Sequence, residues 1–142
     1  MLLVKNAEIY APEYLGKKDL LICGGKIECI QDSIRELPVE CEVLDAEGKI
    51  LTPGFLDQHV HITGGGGEGS FHTRTPELQM SELVENGITT VVGLLGTDGI
   101  TRSVDNLYAK TRVLCEEGVS AYMLTDIPAR LSQVKQTGTS YL

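Results

Sequence analysis

Apolar residues fall into short runs with two different rhythms along the chain. Over the first fifty residues they mix with polar positions in the manner of half-buried strands. MLLVKNAEIY opens the series. LLICGGKIECI sets Gly24 and Gly25 between two β-rich runs, a two-residue hairpin signal, and VLDAEGKIL repeats the idea around Gly48. This part is expected to form short antiparallel strands. After Pro53 the pattern changes to strand, helix, strand, helix, strand. GFLDQHVHI is the first of these strands, while ITTVVGLLG (88–96) and VSAYMLT (119–125) are continuous apolar runs of the kind found in parallel strands covered on both faces. Thr75, Pro76 and Glu77 predict a helix start: a capping hydroxyl, a proline where its missing N–H costs nothing, and an acid in the positive first turn. Gly87 then ends that helix. A second helix is predicted from Ser103 to Gly118, with Val104, Leu107, Tyr108, Thr111 and Cys115 on one stripe.

Composition and charge narrow the class. At 142 residues and 15.4 kDa the chain suits one compact domain with a real core rather than two full ones. With 42% hydrophobic and 23% charged residues it resembles an ordinary soluble protein, and no run of 18 apolar residues offers a membrane span. The N-terminus lacks a basic head and a small-residue cleavage site, so a cytoplasmic location is expected. A net charge of −8 argues against a nucleic-acid partner, because binding the phosphate backbone needs clustered Lys and Arg. Cys23, Cys29, Cys41 and Cys115 are scattered without a Cys-x-x-Cys pair and are expected to be reduced thiols.

The candidate chemistry lies in PGFLDQHVHITGGGGEGSFHTR, which holds all three histidines of the chain. Residues two apart on a strand share a face, so Asp57, His59 and His61 are expected to project together. Two imidazoles converging on one point begin a site for zinc or a comparable transition metal, with Asp57 better placed to orient a ligand than to bind the ion. Histidines that merely pack or face solvent are the competing reading. The four glycines at 64 to 67 let the backbone approach a ligand closely, and Glu68 follows them; a flexible linker ending in an exposed glutamate is the alternative. His72 is expected to face solvent and Asp98 to serve a turn. Asp126, tempting only by its position at a strand end, is assigned no role.

Pro53-Gly54-Phe55-Leu56-Asp57 directly before His-Val-His, after a β-rich segment, resembles the amidohydrolase superfamily. GGGGE two residues later, with TRTPEL, NGITTVVGLLGTDG and AKTR at matching intervals, resembles the isoaspartyl (β-aspartyl) dipeptidase family in particular. The resemblance runs from Met1 to Thr125 and implies an α/β fold: part of a small β-sandwich (1–52), the first βαβαβ units of a (β/α)8 TIM-like barrel (53–125), and a divergent tail (126–142). It implies a metal-activated hydroxide cleaving the β-aspartyl amide of a small dipeptide substrate. The binuclear zinc centre of complete members would take His59 and His61 as ligands of its more buried ion. Glu68 would receive the substrate's α-amino group, and Gly66 and Thr97 would help hold its α-carboxylate; Thr97 also reads as a simple capping hydroxyl.

The resemblance further implies a carbamylated lysine, two more histidines and a proton-handling aspartate on later strands. No histidine follows His72, and Lys135 lies in the divergent tail without a match. An eight-stranded barrel takes about 250 residues. The expectation is therefore an incomplete fragment with no catalytic residue present and no turnover of its own. Two other readings stay open. One is hydrolysis of a cyclic amide in the manner of dihydroorotases and hydantoinases. The other is a non-catalytic remnant that binds metal or associates with a partner through an open sheet edge; a homo-oligomer is a separate open expectation.

Overall fold

The structure is a computed structural model and describes residues 1–35, 37–96, 98 and 101–125. It divides into two units, Met1–Pro53 and Gly54–Leu142.

The first unit is a five-stranded sheet: β1 (Leu2–Tyr10), β2 (Tyr14–Cys23), β3 (Lys26–Gln31), β4 (Glu42–Asp45) and β5 (Ile50–Leu51). Its order is β3-β2-β1-β4, with β5 also pairing β1. The hairpin between β2 and β3 forms where the glycine pair predicts it, since Gly24 and Gly25 both take positive φ, 56° and 76°, as the tight turn demands. Val4, Ala7, Ile9 and Leu20 form the buried cluster of this sheet, flanked by Leu2, Ile22, Ala46 and Leu51.

The expectation of a purely antiparallel segment with a second hairpin at Gly48 is corrected here: β4 and β5 both run parallel to β1 and do not pair with each other. The cause lies at Asn6, where φ is 58° and the β1–β2 ladder loses register between Val4 and Ala7. On one side the displaced backbone is satisfied by the buried Asp19, whose two carboxylate oxygens accept from Asn6 N (2.9 Å) and Ile34 N (2.8 Å). On the other, the Asn6 amide donates to both oxygens of Asp45 (2.9 and 3.0 Å), and Asn6 O accepts from Gly48 N at 2.9 Å. The turn at Gly48 is thus anchored to β1 and becomes a jog, after which the chain continues in the same direction.

The second unit is a three-stranded parallel sheet, β6 (Phe55–Val60), β7 (Ile88–Gly93) and β8 (Ser120–Met123), in the order β6-β7-β8. Helix α1 (Met80–Glu85) packs on β7 and α2 (Val104–Glu116) on β8. Ile62, Leu83, Val91, Leu107, Leu114 and Met123 are among the residues of its core. Helix α2 starts as its sequence predicts, with Ser103 Oγ accepting from Asn106 N at 3.2 Å, and Gly118 follows its end at φ 101°. No helix of the described residues is long and apolar enough to cross a membrane.

Two expectations need correction. Helix α1 begins at Met80 rather than near Pro76; Gln79 caps it in a capping box with Glu82, because Thr75 is engaged elsewhere, its hydroxyl accepting from Gly65 N at 2.7 Å. The strands are shorter than their apolar runs, and His61 lies just past the end of β6. In the runs expected to be covered on both faces, Val91, Gly93, Val119, Ala121 and Met123 are buried and Val92 and Tyr122 half-buried, while Phe55 and Leu56 of β6 remain 62% and 54% exposed.

Leu107, fully buried, and Val113, 43% exposed, sit on the same helix and test where the core lies. Leu107→Ala is expected to cost about 2–5 kcal/mol in urea unfolding, whereas Val113→Ala should stay within about 0.5 kcal/mol. A second outcome concerns acid. The Glu47 N–H and the Asn6 amide hold the Asp45 carboxyl below its ordinary value of 3.8. A depressed folded-state pKa gives stability that is present above 3.8 and is lost as pH falls through the folded value. Thermal midpoints measured from pH 5 to pH 2 should therefore fall more steeply for the wild type than for Asp45→Asn.

Candidate functional site

The edge strand β6 delivers its histidines to the carboxyl end of the parallel sheet. The ladder with β7 is irregular between Asp57 and Val60, so strict two-residue alternation does not hold across this stretch. Asp57 Oδ1 accepts from the backbone N–H of His59 at 3.0 Å, and so braces the main chain at that histidine rather than its ring. His59 is exposed and lines a cavity of about 550 Å³ along β6, together with Leu56, Asp57 and Ile88.

His61 is half-buried and lies in the turn that follows the strand, where Ile62 N donates to Val60 O and Gly64 N to His61 O. The His61 Nδ1 is 3.3 Å from Leu94 O. A carbonyl can only accept, so the proton resides on Nδ1 and the Nε2 lone pair is left for a ligand. The two imidazoles lie edge to face at 87°, with centroids 5.4 Å apart. Two imidazoles bound tetrahedrally to one zinc at about 2.0–2.1 Å would have centroids about 5 Å apart. The centroid spacing matches that of two imidazoles sharing a nitrogen-preferring metal ion, although among the described residues no group of three or more His, Cys, Asp or Glu comes together to hold one.

The glycine run lies directly against this pair. A Cβ on Gly65 would sit 3.4 Å from His61 Cδ2, and one on Gly96 would sit 3.4 Å from its Cε1 and Nδ1, so the ring rests between two backbones without side chains. At Gly64 (φ 89°) a Cβ would come 2.4 Å from Thr75 O, and at Gly66 (φ 72°) 2.3 Å from Thr73 O. These contacts replace the linker reading with a built loop, closed at its neck by Thr75 N donating to Gly65 O at 3.0 Å and by the Thr75 hydroxyl. Glu68 is exposed at the end of the run, and Gly66 is half-buried within it. Thr97, Asp126 and Lys135 lie outside the described residues. His72 is exposed in a single 3-10 turn, Phe71–Thr73.

Two groups escaped the sequence reading. Arg102 has its side chain only 3% exposed beneath the glycine loop. Asp98, expected as a turn residue, does accept from Thr101 N at 2.9 Å, but its carboxylate is also 6% exposed and pairs with Arg74 Nε at 2.9 Å. The available signal was the position of Arg102 directly before the Ser103 cap, where a cation opposes the helix dipole and so needs another reason to be there.

No family model matches the chain. It is 35% identical over 126 residues to the dihydroorotase of Listeria monocytogenes serotype 4a, a stretch covering 86% of this chain and 28% of that relative. Its structure superposes with TM-score 0.81 and 52% identity on β-aspartyl dipeptidase from the thermophilic, keratin-degrading Fervidobacterium islandicum AW-1, solved in complex with β-Asp-Leu dipeptide, over 87% of this chain and 33% of that one. A likeness to the L-hydantoinase (dihydropyrimidinase) of Arthrobacter aurescens, with TM-score 0.65 and 23% identity over 96% of this chain and 30% of that one, carries the fold alone. The chain spans a third or less of the length of each. These relatives are hydrolytic enzymes of the amidohydrolase superfamily, and the comparisons support that superfamily for this chain without choosing among its members.

Proposed function

We propose that this chain carries the first-strand part of a β-aspartyl dipeptidase site. In this reading His59 and His61 are zinc ligands, Glu68 receives the α-amine of the substrate, and Gly66 and Thr97 hold its α-carboxylate. The observation that carries the reading is the seat of the glycine run against His61, with Gly65 in contact range of the ring and Glu68 ending the same loop. The 52% identity to a β-aspartyl dipeptidase crystallised with β-Asp-Leu supports the same choice.

The chemistry of the substrate explains the division of labour. A β-aspartyl dipeptide is cleaved at a side-chain amide, so both its α-amino and α-carboxylate groups are free. The first needs a counter-charge, which Glu68 supplies; the second needs backbone donors that approach closely, which a residue without Cβ allows. Leu94 O keeps the His61 proton on Nδ1, and Asp57 fixes the backbone of His59. A bound zinc would supply Lewis acidity and a lowered pKa for the attacking water. Catalytic zinc ordinarily takes three protein ligands, so two histidines bind the ion without completing a reactive centre. The strand and helix series from β6 to β8 is, in the same reading, the opening of a (β/α)8 barrel over residues 53–125, preceded by a β-sandwich segment (1–52) and followed by a divergent tail (126–142).

A second reading, hydrolysis of a cyclic amide, is favoured by the 35% identity to dihydroorotase. Glu68 separates the two, because a neutral ring amide offers it no amine.

Titrating the purified chain with Co²⁺ or Zn²⁺ should give a histidine-dependent site that weakens about tenfold or more in His59→Ala and His61→Ala; unchanged binding in both variants would remove the metal role. Calorimetry on the zinc-loaded chain should show β-Asp-Leu binding in preference to dihydroorotate. Glu68→Gln should weaken the dipeptide about tenfold, the worth of one charge-assisted hydrogen bond, with zinc affinity unchanged. Preference for dihydroorotate, unaffected by Glu68→Gln, would favour the cyclic-amide reading instead.

A further inference from the structure

Arg102 is buried without a reason in its own helix. It immediately precedes Ser103, the cap of α2, where the helix dipole disfavours a cation, and Asp105 already complements that end. Its guanidinium donors instead reach main-chain carbonyls of one loop. Nε donates to Thr63 O at 3.0 Å, Nη2 to Gly65 O at 3.1 Å and to Thr75 O at 3.0 Å, and Nη1 approaches Gly66 O at 3.5 Å. These acceptors lie on both arms of the segment 63–75, so one planar cation crosslinks its neck. Asp98 Oδ2 stands 3.6 Å from Nη1 as the counter-charge and is itself held by Arg74 from the far arm. The fit is close: a Cβ on Gly64 would come 2.8 Å from Nη2.

The geometry of the peptide unit gives this clamp a direction. In a trans peptide the C=O and the following N–H point opposite ways. By drawing the Gly65 and Gly66 carbonyls toward itself, Arg102 turns the N–H groups of Gly66 and Gly67 away from it. Neither N–H has an acceptor among the described residues. Two successive glycines at positive φ, 72° and 108°, thus carry main-chain donors that the loop itself does not use, and such donors are what an anion takes.

We infer that Arg102 is a positioning residue for carboxylate recognition: it never meets the ligand, but fixes the glycine loop so that the Gly66 and Gly67 amides remain as free donors next to Gly65, the loop residue that lies against His61. The loop clamp stands on the contacts above, while the carboxylate as the recognised group rests on the dipeptidase reading. Lysine keeps the charge but cannot fork to both arms, which makes Arg102→Lys the informative variant.

The test has two arms on the full chain. Amide hydrogen exchange at Gly64, Gly65 and Thr75 should accelerate about tenfold or more in Arg102→Lys and Arg102→Gln, with core amides of α2 and β7 changing less than about twofold. Unchanged loop exchange in Arg102→Lys overturns the clamp, even where Arg102→Gln fails to fold. In the second arm the zinc-loaded chain is titrated with β-Asp-Leu and with β-Ala-Leu, which keeps the amine and lacks the α-carboxylate. The wild type should prefer β-Asp-Leu about tenfold, and Arg102→Lys should bring the ratio toward one with zinc affinity unchanged. Equal weakening of both peptides would assign Arg102 a merely structural role and overturn the inference. A wild type that does not discriminate between the peptides defeats the dipeptide reading, and with it carboxylate recognition, while loop exchange still decides the clamp.

Discussion

A guanidinium folded under a loop of glycines is the interaction on which the geometry of the candidate site depends. Four consecutive residues without side chains have little intrinsic preference for any conformation, and ordering them costs more backbone entropy than ordering any other residue type. Arg102 offsets that cost by giving the loop's carbonyls a charged, multidentate partner in a place from which water is excluded. The glycines in turn make room for the cation, because the space beside Gly64 that a methyl group would need is taken by Nη2 and by Thr75 O. Loop and arginine are therefore one unit. The ring of His61 inherits its orientation from that unit on one side and from Leu94 and Gly96 on the other.

Much of the second unit was legible because its signals are local. Ser103 caps α2, Gly118 ends it, and the stripe from Val104 to Thr111 faces the core, each decided by residues within a few positions of one another. The misreadings share one cause, competition from a distant partner. Thr75-Pro76-Glu77 carries every mark of a helix start, yet the Thr75 hydroxyl and carbonyl are taken by Gly65 and Arg102, and the helix waits for Gln79. Gly48 has the composition of a hairpin turn, but its N–H is spoken for by Asn6, more than forty residues earlier. Periodicity cannot report such claims.

The site divides in the same way. The imidazole pair and the glycine run announce themselves as a contiguous motif. What fixes them comes from elsewhere in the chain: a carbonyl at Leu94, a bare backbone at Gly96, a carboxylate at Asp98 and a cation at Arg102. None of these has an unusual local sequence, and only the misfit of a positive charge ahead of a helix cap hinted at one of them. This chain is similar both to a dihydroorotase and to a β-aspartyl dipeptidase, over 86% and 87% of its length.

The arrangement of the first sheet bears on the order in which it can assemble. β1 occupies an interior position, with β2 on one side and β4 and β5 on the other. As the polypeptide leaves the ribosome, β1, β2 and β3 can zip into a meander once residue 31 has emerged, because each neighbour is adjacent in sequence. The opposite flank of β1 then stays unpaired until residues 42 to 51 arrive, leaving a nascent edge of main-chain donors and acceptors. The two carboxylates that grip Asn6 arrive in the same sequence, Asp19 with the meander and Asp45 only with the late flank. The kink in β1 is therefore half secured during synthesis, and closing the sheet completes it.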